Sequence, residues 1–313
     1  AHRRGGGTAG DPPGSVVMRL AVRTPYAGRA LLDFLARRAV PGVEVVDGDV
    51  YARSLRLPRG HGTVRLRLPD VTAPGETAFA EAEFGLTDLR DTSAAVERVR
   101  RLLDADCDPV AVDEAFAGDP LLGPMVRGTP GLRVPGHVDG DEIAVRAVLG
   151  QQISVARART LAGRLTADHG DPVETGVDGL THLCPSSATL GAIEPESLPM
   201  PRSRGRALVG LCRALADGDV VLDRSADRDD VRIALLALPG IGPWTADYVA
   251  LRALGHPDVL MATDLGTRHA LAAAPPSTDP EAWRPWRSYA QSHLWHSLSG
   301  VPTADRPDPR PED

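Results

Sequence analysis

A chain of 313 residues, 42% hydrophobic and 25% charged, has a globular composition and enough apolar mass for two domains. A formal net charge of −7 counts against a partner held by bulk attraction to negative charge, such as nucleic acid, although oriented backbone N–H groups and local arginines are invisible to that sum. All 35 basic residues are arginine, so a mechanism built on a lysine Schiff base is excluded.

Cys107, Cys184 and Cys212 lack C-x-x-C spacing, which speaks against a zinc site, an iron–sulfur cluster or a disulfide framework and for buried thiols in a reduced compartment. No apolar run approaches the roughly 18 residues of a membrane span, and no signal-peptide pattern opens the chain. The expected location is cytoplasmic, with no membrane partner.

In chain order, residues 1–15, beginning "AHRRGGGTAGDPPG", are Gly/Pro-rich and read as a flexible linker from an upstream domain. Residues 16–91 read as a small α+β domain with an antiparallel sheet. "SVVMRLAVRTP" is strand-like, "GRALLDFLARRAV" carries Leu31, Phe34, Leu35 and Ala39 at helical spacing, and "YARSLRLPRGHGTVRLRL" forms a hairpin turning near Gly60 to Gly62. From Thr92 strands vanish and helical periods run to residue 300, which predicts an all-helical second domain. Ser154 caps the helix after "LGQQI", so residues 150–153 are a connector. The tail 301–313 has the composition of a disordered segment.

Within the helical region, "LPGIGPWTAD" predicts a helix–hairpin–helix over 230–255. The first helix ends at Leu238, because Pro239 disfavours helical geometry before it and Gly240 tolerates positive φ. The second starts with Pro243 at its first position and ends at Gly255. The N–H groups of Gly240, Gly242 and Thr245 then converge on an anion, for which a phosphate fits, while Ile241 plugs the hairpin into its own domain. A short helix–helix connection accounts for the pentapeptide alone equally well.

Asp264 stands just before the helical stretch "LGTRHAL" and fits a helix N-cap. That position favours negative charge, and a fixed carboxylate suits glycosidic bond cleavage, where the sugar becomes cation-like as the base departs.

"ALPGIGPWTADYVALRALGHPDVLMATD" resembles the helix–hairpin–helix and Gly/Pro-rich-loop-and-Asp signature of the DNA glycosylase superfamily. "RAVLGQQISVARARTLAGRL", "YARSL" and "WRPWRSYAQSHLW" are similar to the bacterial 3-methyladenine DNA glycosylase II family in particular, in the same order from about Val17 to Gly300. The resemblance implies that Asp264 is catalytic and that the hairpin, with Gly240, Ile241, Gly242 and Thr245, holds DNA backbone. A monovalent cation, Na+ or K+, is implied on the carbonyls of Leu236, Leu238 and Gly240, and no cofactor is required. Gln151 and Gln152 match the segment whose wedge fills the gap left by the flipped base. Trp244, Tyr248, Trp295 and Phe34 match pocket-lining positions, and Leu265 stands beside the catalytic aspartate where one branch of the family has tyrosine.

The absence of lysine points to hydrolysis without strand nicking. The implied protein is therefore a nucleoid-associated monomer that binds double-stranded DNA containing alkylated bases and releases 3-methyladenine and 7-methylguanine. A lesion-binding sensor without catalysis, and a glycosylase for deaminated bases such as hypoxanthine, are the alternatives. The resemblance also suggests that the upstream domain serves the alkylation response. His293 and His296 at i, i+3 lack a matching carboxylate for a metal site. Arg284 and Arg287 read either as DNA contacts or as part of a packed segment with Trp283 and Trp286.

Overall fold

The computed structural model describes residues 14–75 and 77–299. The N-terminal part runs β1 (Gly14–Arg23), β2 (Tyr26–Ala27), α1 (Gly28–Arg38), β3 (Glu44–Asp47), β4 (Val50–Arg56), β5 (His61–Arg67), β6 (Asp70–Val71) and β7 (Thr77–Leu86). Five of these strands form an antiparallel sheet in the order β1-β7-β5-β4-β3, and β2 pairs with β6. Alternation explains which face is covered: Leu20, Val22, Val64, Leu66, Ala80, Ala82, Phe84 and Leu86 are buried beneath α1, while Arg65 and Arg67 point to solvent.

The helical part follows as α2 (Thr92–Leu102), α3 (Pro109–Phe116), α4 (Leu122–Gly128), α5 (Gly140–Leu149), α6 (Val155–His169), β8 (Asp171–Pro172), β9 (His182–Leu183), α7 (Ser187–Gly191), α8 (Arg202–Ala216), α9 (Arg228–Leu236), α10 (Pro243–Arg252), α11 (Leu265–Ala272) and α12 (Arg287–Ser297). One helical core joins α5, α8, α9 and α10, and a second joins α3, α4, α10 and α12. Ser154 caps α6 as its sequence position predicts, accepting from the Arg157 N–H.

Several boundaries differ from the sequence-based expectation. Gly14 and Ser15 belong to β1, paired with Leu86 and Gly85, so the linker does not extend to residue 15; residues 1–13 and the tail 301–313 lie outside the described residues. The division at residue 91 is also displaced, because Ala95, Val99 and Leu102 form one stripe of α2 packed into the sheet's own core. Strands do not vanish after Thr92, since β8 and β9 form a two-residue ladder. The β4–β5 hairpin turns before Gly62, which lies inside β5 opposite Leu55.

A buried ionic network ties the sheet to α5. The Arg53 guanidinium, 1% exposed, lies 2.6 Å from Glu142 Oε2 and 3.4 Å from Glu44 Oε1. Arg146 donates to Glu44 Oε2 at 2.8 Å, and the Tyr51 hydroxyl donates to Glu44 Oε1 at 2.6 Å. Burial opposes ionisation of Glu142, yet Arg53 and His137 hold its carboxyl well below the usual carboxylate range.

His293 on α12 is 1% exposed and, among the described residues, its Nε2 has no hydrogen-bond partner. Burial, assisted by His296, pushes its ring down to about 4. The folded protein therefore keeps this ring neutral while the unfolded chain takes up a proton, so its contribution to stability is lost as pH falls from about 6.5 towards 4. Urea titrations at pH 7 and pH 5 test this: we expect wild type to lose about 2 kcal/mol more than His293→Leu across that interval, and equal losses would contradict it.

Candidate active site

The hairpin is built by local chemistry. α9 starts on Asp227, whose carboxylate accepts from the Asp229 and Asp230 N–H groups, and ends at Leu236, two residues before the predicted stop. Gly240 has φ +82°, and an added Cβ there would sit 2.6 Å from Ala207 Cβ, so the turn takes only glycine. Pro243 opens α10, which ends at Arg252 rather than at Gly255.

Gly240 is exposed, and among the described residues neither its N–H nor that of Gly242 makes a hydrogen bond. Thr245 departs from expectation. It is 2% exposed and its N–H donates to the Gly242 carbonyl at 3.0 Å, so the first turn of α10 has already consumed that donor. Ile241, 5% exposed, packs in the helical core and anchors the bend rather than facing solvent.

Gln151 has a different place from a solvent-facing side chain. Its side-chain amide nitrogen donates to the Gly240 carbonyl and to the Thr245 hydroxyl, both at 3.0 Å, and its main-chain carbonyl accepts from Arg204 at 2.7 Å. It thus fastens the 150–153 connector to the hairpin. Gln152, next along, is exposed in the left-handed region at φ +56°, which projects it from the loop tip. Of the carbonyls expected to hold a cation, Leu238 accepts from the Ile241 N–H at 3.1 Å and Gly240 from Gln151, each keeping a second lone pair.

Asp264 caps α11 through Oδ1, which accepts from the Thr267 N–H at 3.0 Å and the Thr267 hydroxyl at 3.2 Å. Two indoles complete its shell: Trp295 Nε1 donates to Oδ1 at 3.0 Å and Trp244 Nε1 to Oδ2 at 3.1 Å. The carboxylate is half-buried and, among the described residues, makes no ion pair. Four donors and no cation leave a negative charge fixed in place and unpaired by protein, the arrangement that stabilises a developing positive charge nearby.

The same indoles carry the aromatic wall. Trp244 stacks on Tyr248 with ring centroids 5.4 Å apart and an 11° interplanar angle, and Tyr248 meets Trp295 tilted at 6.2 Å. Phe34 and Trp295 line a small solvent-open cleft between α1, residues 132–135 and α12. Asp264, Trp244, Tyr248 and Trp295 are therefore one contiguous site, with Phe34 at its N-terminal edge.

Leu265 is not part of this wall. As the first residue of α11 it is 54% exposed, because the turn that aims Asp264 inwards points the next side chain outwards. Arg284 and Arg287 are engaged with Asp258 and Glu281, and Trp283 is 2% exposed with its Nε1 donating to Asp119 Oδ2 at 2.7 Å, so this segment takes the packing role. No group of three or more metal-ligating side chains occurs among the described residues, and His293 and His296 form none. Sequence reading missed Arg252, whose guanidinium donates to the Tyr248 hydroxyl at 2.7 Å; its place at i+4 from Tyr248 is the available signal.

The architecture is that of the helix–hairpin–helix DNA glycosylases. A 3-methyladenine DNA-glycosylase from Archaeoglobus fulgidus matches with a TM-score of 0.73 at 21% identity, covering 90% of this chain and 99% of that one. Residues 17–139 match the AlkA N-terminal domain family. The DNA-3-methyladenine glycosylase 2 of Escherichia coli is 35% identical over 285 residues, covering 89% of this chain and 96% of that protein. The chain therefore belongs to the DNA-3-methyladenine glycosylase 2 family. A probable bifunctional transcriptional activator/DNA repair enzyme AlkA of Mycobacterium tuberculosis is 45% identical over 292 residues, 91% of this chain, and this chain spans 58% of that protein's length.

Proposed function

We propose that this chain is a monofunctional DNA glycosylase of base excision repair, acting as a monomer on double-stranded DNA to release alkylated purines, 3-methyladenine and 7-methylguanine, by hydrolysis. The observation that carries the reading is the unpaired Asp264 carboxylate held against an aromatic wall by two indole N–H groups. As the C1′–N bond breaks, the base leaves with the bonding electron pair. The sugar becomes cation-like, Asp264 stabilises it and orients the water whose oxygen bonds to C1′, the water's proton passes to the carboxylate and from there to solvent, and an abasic site remains.

The free N–H groups of Gly240 and Gly242 suit a backbone phosphate of the same nucleotide tract. A monovalent cation on the carbonyls of Leu236, Leu238 and Gly240 fits their remaining lone pairs and would add positive charge facing that phosphate. Gln152, exposed at the loop tip with φ in the left-handed region, is our candidate to fill the gap left by the extruded base, a reading supported by its projection from the connector.

A chain without lysine has no side-chain amine for a Schiff base with the sugar, which supports hydrolysis without strand cleavage. The test is a panel of duplexes carrying single 3-methyladenine, 7-methylguanine and hypoxanthine residues. We expect released base and an intact strand that breaks only on alkaline treatment. Tight binding with no release would select the lesion-sensor reading instead.

A further inference from the structure

We propose that Arg252 is a specificity-determining residue, its buried guanidinium behind the aromatic wall setting how strongly the site favours a cationic damaged base over a neutral one. This rests on reading the wall as the seat of the extruded base. Arg252 is 3% exposed and has no carboxylate partner among the described residues. Its Nε donates to the Pro135 carbonyl, its second nitrogen to the Gly136 carbonyl at 3.2 Å and its third to the Tyr248 hydroxyl. Its Cζ lies 5.5 Å from the Tyr248 ring centroid and 4.9 Å from that of Phe34, and Arg38 sits over the Phe34 ring at 3.7 Å. The result is a continuous series from indole through phenol and guanidinium to phenyl and guanidinium.

A second observation points the same way. Among the described residues, the cleft that Phe34 and Trp295 share is also lined by Arg37, Arg38, Arg133 and His296 and by no carboxylate, and two buried guanidinium nitrogens of Arg133 have no hydrogen-bond partner. Asp264 is the negative group that faces the wall from α11, with Glu44 beyond Arg146 on the other side. Burial raises the Tyr248 phenol, but Arg252, Arg38 and Arg146 together hold it below its usual range, as their placement around the ring requires.

An aromatic face attracts a cation through its quadrupole. A guanidinium already placed on the ring and donating to its hydroxyl withdraws electron density from that face, and its charge repels a second cation across a medium of low dielectric. Stacking of a neutral purine draws on area and dispersion and is left intact. The arginines thus blunt the wall's preference for cationic lesions and keep neutral ones in range.

The experiment compares intact wild type, Arg252→Met, Arg252→Lys and Arg38→Met in single-turnover release from duplexes carrying 7-methylguanine, which is cationic, or hypoxanthine, which is neutral. We expect the ratio of cationic to neutral release to rise about fivefold in Arg252→Met, to stay at the wild-type value in Arg252→Lys, and to rise less but in the same direction in Arg38→Met. Parallel losses on both substrates with an unchanged ratio would show that Arg252 only holds the wall in place and would overturn the proposal. If Arg252→Met fails to fold, Arg38→Met decides. Should wild type release neither base, the glycosylase reading fails separately, and quenching of tryptophan fluorescence by 7-methylguanosine and inosine at mildly acid pH reads the same ratio without catalysis.

Discussion

Asp264→Asn is expected to slow base release by a factor on the order of 10²–10³ while leaving the fold in place. Asparagine is as good an N-cap as aspartate, so α11 keeps its first turn and the acceptor for the Thr267 N–H survives. What disappears is the fixed negative charge that offsets the cation-like sugar, and an amide N–H₂ replaces an oxygen facing one of the two indole donors. Single-turnover release on methylated duplex, measured beside the thermal midpoint, separates the two effects. Release within threefold of wild type in a folded variant would remove Asp264 from the mechanism.

The largest effect on stability is expected at Arg53, in the buried ionic network between the sheet and α5. Replacing it with methionine leaves Glu44 and Glu142 buried with one guanidinium, Arg146, between them. Breaking a buried pair by removing one partner costs about 3–5 kcal/mol, because the remaining charge stays uncompensated. The loss should appear as a lowered urea midpoint, and it should shrink when Glu142→Gln is added, since the second change removes the orphaned charge. A loss under about 1 kcal/mol for the single variant would mean that water reaches these groups and that the network does not join sheet to helices.

The features that sequence made legible are those written locally. Pro239, Gly240, Gly242 and Pro243 state a stop, a left-handed turn and a restart, and the structure has all three within a few residues. Asp264 before an apolar-periodic stretch reads as a cap and is one; that Trp244, Tyr248 and Trp295 share one wall follows the family resemblance rather than a local pattern. The β1 and β5 alternations likewise specify which face of the sheet is covered.

What sequence left unread depends on partners distant along the chain. Nothing near Gln151 shows that its amide meets the hairpin 89 residues later, and nothing near Arg252 shows that the Pro135 carbonyl, 117 residues earlier, receives its N–H. The stripe of α2 has ordinary helical spacing, so its docking on the sheet rather than on other helices is settled by packing alone. Leu265 follows the same logic: its position next to Asp264 suggests the pocket, but the helical turn sends adjacent side chains in different directions.

That the amides of the bend and the Asp264 carboxylate serve one extruded nucleotide is tested most directly by a crystal structure of the Asp264→Asn protein bound to a duplex with a single hypoxanthine. The prediction is a base turned out against Trp244, Tyr248 and Trp295, its C1′ facing the substituted side chain, with a phosphate on its 3′ side hydrogen-bonded to the Gly240 and Gly242 N–H groups. A base still stacked in the helix, or one extruded with its phosphates held elsewhere, would contradict it.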